Sequence, residues 1–124
     1  MSEKYYTQME AARKGIITEE MRAVARKEYR TEEEIRDLVA KGQVAICANK
    51  RHKCLDPNGV GSMLRTKINV NLGVSKDCKD YEVEMEKVMA AVNMGAEAIM
   101  DLSSHGNTQP FRRKLTQECP AMIG

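Results

Sequence analysis

Branched apolar residues alternate with amides between Lys67 and Leu72: Ile68, Val70 and Leu72 share one side of an extended chain, Asn69 and Asn71 the other. The pattern predicts a strand with one apolar and one amide face, and an amide row on a buried face needs partners. From Tyr81 the period changes. Tyr81, Met85, Val88 and Val92 recur at helical spacing while Glu82, Glu84, Glu86 and Lys87 fall elsewhere, predicting an amphipathic helix capped by Asp77 or Asp80. Ala98-Ile99-Met100 then reads as a second strand, ending at Asp101-Leu102-Ser103-Ser104. A strand, a crossover helix and a strand of this length make a parallel pair. A further round follows, with Thr108 as cap, Pro110 in the first turn, Phe111 and Leu115 on the inner stripe, and a third strand opening over 120–124. The expected class is therefore α/β, and Asn71, Met100 and Asp101 fall at the carboxyl ends of parallel strands, where such sheets bind ligands.

Ahead of this lies a helical lead-in over 1–43. Thr18 stands before Glu19, Glu20 and the apolar set Met21, Val24 and Ala25, so its hydroxyl can cap a helix with an acidic first turn. Thr31-Glu32-Glu33-Glu34 has the form of a capping box, Ile35, Leu38 and Val39 make the buried stripe, and Gly42 falls where a left-handed residue is wanted. Over 44–66 a short strand, Val44 to Ala48, leads into a long connection containing Asp56-Pro57-Asn58-Gly59-Val60-Gly61. Its glycines leave backbone amides able to approach an anion, but an ordinary turn is favoured. The third segment, 67–124, carries the β-α-β-α-β pattern. His52, alone between Arg51 and Lys53, reads as an exposed or hydrogen-bonded residue rather than a metal ligand, and His105 is a weak candidate near a strand end.

Charge excludes one class of partner. Twenty basic residues face 18 acidic ones, a net charge of +2, and the signs are intermixed, so no uncompensated basic patch exists for nucleic acid. No apolar run approaches the ~20 residues needed to cross a bilayer, so no membrane partner is expected. Cys47, Cys54, Cys78 and Cys119 form no Cys-x-x-Cys pair and are too spread for a compact cluster or zinc motif. They read as reduced thiols of a cytoplasmic protein, Cys47 and Cys119 within apolar runs as small hydrophobes and Cys54 and Cys78 exposed.

Several blocks of the chain resemble the phosphomethylpyrimidine synthase (ThiC) family of thiamine biosynthesis: Thr7-Gln8-Met9-Glu10-Ala11-Ala12-Arg13-Lys14-Gly15-Ile16-Ile17-Thr18, Ala48-Asn49-Lys50-Arg51-His52-Lys53, Leu64-Arg65-Thr66-Lys67-Ile68-Asn69-Val70-Asn71-Leu72-Gly73 and Met100-Asp101-Leu102-Ser103-Ser104. The blocks keep the family's order and spacing over nearly the whole chain. The resemblance implies a radical enzyme that uses S-adenosylmethionine, a 4Fe-4S cluster and zinc to turn 5-aminoimidazole ribotide into hydroxymethylpyrimidine phosphate, as a homodimer with a (β/α)8 TIM-type barrel. It implies that this chain is an amino-terminal fragment holding a helical prefix and the first part of that barrel. Asn71 and Met100 match the family's substrate-binding positions, and Asp101 stands behind them in a supporting role. The amide suits a polar heterocycle or ribose, and the thioether gives a polarizable contact to the ring. The family's catalytic residues, cluster cysteines and zinc ligands have no counterpart among these 124 residues, so the fragment alone is expected to be inactive.

Two departures accompany the match. Cys47 stands where the family commonly has Pro, and the segment from His105 to Pro110 differs from the usual wording after Asp-Leu-Ser. Two other readings stay open beside the main one: a 5-hydroxybenzimidazole synthase paralogue acting on the same ribotide, and a non-catalytic module that keeps a ribotide half-site.

Overall fold

A computed structural model describes residues 4–124, which divide into two compact units, one formed by the chain up to Cys47 together with 57–66, the other by 48–56 and 67–124. The first unit contains α1 (Gln8–Arg13), α2 (Glu19–Glu28), α3 (Glu32–Ala40), β1 (Val44–Ile46) and β2 (Gly59–Gly61). Each helix opens on a threonine. Thr7 accepts from the Glu10 N–H, Thr18 from that of Met21, and Thr31 forms the full capping box with Glu34. The Thr18 hydroxyl also donates to Gln8 Oε1 at 2.6 Å, tying the start of α2 to α1. Met21, Val24, Ile35 and Val39 are all at most 2% exposed and form the core with Ala11, Val44 and Ile46. Burying each of the four larger side chains stabilises the unit by about 1.5–3 kcal/mol.

Gly59–Gly61 is a strand rather than a turn or an anion loop. It pairs antiparallel with β1, Val44 opposite Gly61 and Ile46 opposite Gly59. The glycines serve close packing: a Cβ on Gly61, at φ +144°, would lie 2.1 Å from the Gln43 carbonyl oxygen, and one on Gly59 would meet Leu64 and Val24 within 2.9 Å. Cys47 is exposed, against the expectation of a small buried hydrophobe. The alternation of β1 explains it, since Val44 and Ile46 point inward and Cys47 follows the outward side of Ala45.

The second unit contains β3 (Asn69–Leu72), α4 (Tyr81–Asn93), β4 (Ala98–Asp101), α5 (Gln109–Glu118) and β5 (Met122–Ile123). Its sheet is parallel, in the order β3-β4-β5. One sheet face carries Val70, Leu72, Ile99 and Ile123, and α4 and α5 cover it with Met85, Val88, Ala91, Phe111 and Leu115. Ile99, Val88 and Leu115 are wholly buried there. The opposite face carries Asn69, Asn71, Ala98, Met100 and Met122 by strand alternation. Both asparagines are exposed, so the amide row meets solvent rather than buried partners, and Ile68, just before the strand, is 59% exposed.

The helix caps divide. Asp80, not Asp77, caps α4, accepting from the Glu82 and Val83 N–H groups. Thr108 makes no side-chain cap to α5; it is already in helical backbone, and the Asn107 side chain takes the Gln109 N–H at 3.3 Å instead. On α4 the buried stripe is Glu84, Met85, Val88 and Ala91, which brings inside an acid that the apolar periodicity places outside. Among the described residues no helix is long and apolar enough to cross a membrane.

Candidate functional site

At the carboxyl end of the parallel sheet the register sets Asn71 of β3 beside Met100 of β4, and Leu72 beside Asp101. Strand alternation puts Asn71 and Met100 on the sheet face opposite α4 and α5, the amide exposed and the thioether half-buried. The Met100 side chain leans toward the neighbouring strand, where a Cβ on Gly124 would stand 3.0 Å from its Cε and 3.1 Å from its Sδ. The register thus sets two residues 29 positions apart in sequence at one level of the same sheet face, an amide with donor and acceptor on β3 and a polarizable thioether on β4 whose sulfur lies toward Gly124.

The loops beyond these strands are bound to each other. Leu102 N–H donates to the Leu72 carbonyl at 2.7 Å, Val74 N–H to Ser103 Oγ at 3.1 Å, and Ser104 N–H to the Val74 carbonyl at 3.0 Å. Gly73 lies between them at φ +145°, where a Cβ would come within 2.5 Å of the Ser103 nitrogen and 2.7 Å of the Leu102 carbonyl carbon. Only glycine permits that approach without backbone movement. From the helix side, Gly73 N–H donates to Glu84 Oε2 at 2.9 Å, and Glu84 Oε1 accepts from Lys87 Nζ at 2.6 Å. That bond to Glu84 is the main cause holding the Lys87 ammonium above its ordinary range, against a smaller opposing effect of desolvation.

Asp101 faces the helix side of the sheet. It accepts from Arg112 Nε at 2.8 Å and from the Ser103 N–H at 3.0 Å, with its side chain 3% exposed. Burial acts to raise its pKa, but the bonds from Arg112 and Ser103 outweigh burial and hold it below the ordinary aspartate range. This carboxylate is therefore committed to fastening α5 to β4 and does not share the face of Asn71 and Met100. It lines a cleft of about 280 Å³ with Asn49, His52, Arg112, Thr116 and Gly124.

His52 is a buried, hydrogen-bonded residue, its Nε2 lying 2.5 Å from the Cys119 carbonyl oxygen. With its neighbours it closes the end of α5. Lys53 N–H donates to the Thr116 carbonyl at 3.3 Å and the Cys54 thiol to that of Cys119 at 3.1 Å, so 52–54 satisfies carbonyls that a helix end leaves open. His105 is exposed, and it is its backbone carbonyl that is engaged, accepting from the Tyr81 hydroxyl at 3.3 Å.

The donor set does not fit an iron-sulfur cluster or a zinc site. No three His, Cys, Asp or Glu side chains among the described residues gather around a common point. A cluster needs three thiolates or more, whereas Cys47 and Cys78 are exposed, Cys119 is buried and Cys54 lies between these extremes. Burial pushes the Cys119 thiol up, outweighing the Ala121 N–H that would lower it.

Periodicity and motif matching miss three parts of this site: Glu84, Arg112 and the close approach at Gly73. A usable signal exists for the first, because Glu84 stands four positions before Val88 and seven before Ala91, on one side of α4.

A sequence profile of the Radical SAM ThiC family matches residues 7–124. The chain is 62% identical over 120 residues to a phosphomethylpyrimidine synthase of Clostridioides difficile (strain 630), an alignment covering 97% of this chain and 28% of that protein. It is 60% identical over 121 residues to the phosphomethylpyrimidine synthase of Alkaliphilus oremlandii (strain OhILAs), with 98% and 28% covered. Against that of Clostridium botulinum (strain Hall / ATCC 3502 / NCTC 13319 / Type A) it is 58% identical over 120 residues, with 97% and 28% covered. The chain therefore spans little more than a quarter of the length of these relatives.

Proposed function

The chain belongs to the Radical SAM ThiC family, and from that premise we propose that it is the amino-terminal part of a phosphomethylpyrimidine synthase, the enzyme that converts 5-aminoimidazole ribotide into hydroxymethylpyrimidine phosphate for thiamine. Family membership implies S-adenosylmethionine and an iron-sulfur cluster. The cysteines described here do not fit the cluster, so its ligands, and those of zinc, are assigned to the remainder of the full-length protein, and this chain alone is inactive. The reading takes 1–43 as a helical prefix, 44–66 as a strand and loop, and 67–124 as the opening β-α-β-α-β portion of a (β/α)8 barrel whose full-length form is a cytoplasmic homodimer.

The observation that carries the site is the register pairing of Asn71 with Met100 at the carboxyl end of a parallel sheet, on the face opposite α4 and α5. In a barrel that face lines the interior, and carboxyl ends of strands form the catalytic mouth. Asn71 then orients the ribotide through its amide, Met100 packs its thioether on the ring, and Asp101 holds α5 in place behind them.

Asn71→Ala in the full-length protein tests this. Losing one hydrogen-bonding partner in a closed polar site costs ~1–3 kcal/mol, about a tenfold to hundredfold weakening of ribotide binding. Cluster content should stay intact and Tm should change little, because the side chain is exposed in the sheet. Unchanged affinity in calorimetry would remove Asn71 from the site. Formation of 5-hydroxybenzimidazole in place of the pyrimidine would transfer the chain to the paralogue.

A further inference from the structure

One buried acid joins the crossover helix to the rim loop after β3, which is itself bonded to the loop after β4. Glu84 is wholly buried in the first turn of α4, on the side from which Met85, Val88 and Ala91 enter the apolar cluster. Burying a carboxylate is costly unless it is paired and hydrogen-bonded, and an apolar residue of similar volume would pack there at no such cost. Its charge is met on three sides. The start of α4 presents the positive end of the helix dipole, Lys87 supplies an ammonium at 2.6 Å, and Gly73 supplies a backbone N–H at 2.9 Å.

The last contact reaches the rim. Gly73 is two residues past Asn71, and its backbone is confined from both sides, by Glu84 on one and by Leu102-Ser103 on the other, with only 2.5 Å from a hypothetical Cβ to the Ser103 nitrogen. The bonds Leu102 N–H to Leu72 O and Val74 N–H to Ser103 Oγ pass the same constraint to the loop following Met100 and Asp101.

We propose that Glu84 is a positioning residue for the ribotide rim: acting through the Gly73 N–H, its carboxylate sets the backbone that presents Asn71 and, through the laced loops, Met100. This rests on the ribotide reading above. A side chain serving only to pack α4 would need no acceptor oxygen. The acceptor is therefore the property to vary.

In the full-length protein, Glu84→Gln keeps an oxygen at the same reach, Glu84→Met fills the space without one, and Glu84→Ala empties it. Ribotide affinity by calorimetry, iron content, Tm and hydrogen exchange of the Gly73 amide are measured on each. Glu84→Met should exchange Gly73 at least tenfold faster and bind ribotide about tenfold to hundredfold more weakly at full iron content, since small displacements of a binding group carry losses of that order. Glu84→Gln should restore both to within about threefold, even where Tm falls, because its one oxygen can still accept from Gly73 while the amide NH2 replaces the oxygen facing Lys87, whose exposed ammonium turns to solvent. Glu84→Met serves where Glu84→Ala does not fold. Wild-type affinity in folded Glu84→Met, or an equal loss in Glu84→Gln with Gly73 still protected, overturns the proposal. If the unaltered protein binds no ribotide, the ribotide reading falls and takes the rim's function with it. Faster Gly73 exchange in Glu84→Met would then show the anchor to be structural alone.

Discussion

Arg112 donates from Nε to the Asp101 carboxylate at 2.8 Å, an ion pair whose acid is 3% exposed and whose base is 53% exposed. It spans one strand-to-helix step, from the last residue of β4 to the first turns of α5, and so fixes the angle at which that helix leaves the rim.

Because Asp101 titrates below its ordinary range in the folded chain, it contributes stability above the unfolded pKa and loses it as pH falls through the folded one. Asp101→Asn should be less stable by about 1–2 kcal/mol near neutral pH, a figure reduced by the solvent around Arg112. The gap between the two proteins should narrow below about pH 4, where the unfolded aspartate is protonated. Urea unfolding across that range checks the sign; a gap that widened in acid would contradict the ion pair.

Gly73→Ala and Gly95→Ala separate two kinds of glycine requirement. Both positions have positive φ, but a Cβ on Gly95 meets nothing within 4 Å while one on Gly73 meets backbone at 2.5 Å. Gly95→Ala should cost about 1–2 kcal/mol of conformational strain. Gly73→Ala should cost more than about 3 kcal/mol, since the β3 and β4 loops must part. Denaturation midpoints of the two variants compare them directly, and equal losses would argue against the close approach.

His52→Ala leaves the buried Cys119 carbonyl without its 2.5 Å partner. The expected cost is about 0.5–1.5 kcal/mol, the net worth of one hydrogen bond, because the Cys54 thiol still donates to that carbonyl at 3.1 Å. Amides in the last turn of α5 should exchange faster while those of α4 stay protected. Cys54→Ser should be milder, because a hydroxyl can donate to the carbonyl that the thiol now faces at 3.1 Å. A His52→Ala protein with unaltered α5 protection would return His52 to the surface.

How much of this was legible beforehand depended on the range of the interaction. The threonine caps of α2 and α3, the apolar stripes of α2, α3 and α5, the parallel pairing of the strands and the place of Asn71 and Met100 toward strand ends follow from spacing in the chain, because helical and strand periods are local properties and crossovers of that length close in only one way. Thr108 misled because Asn107, one residue earlier, competes for the same cap.

Tertiary structure alone decided the remainder. That Gly59–Gly61 is a strand depends on β1 offering an edge against which positions 59 and 61 have no room for a Cβ. That Glu84 is inside depends on Gly73 arriving with an unpaired N–H, and that His52 is buried depends on α5 ending beside it with open carbonyls. Sequence determined the elements and the residues at their ends. Which polar groups turn inward was settled by backbone donors and acceptors left over when distant segments met, and no local pattern encodes those.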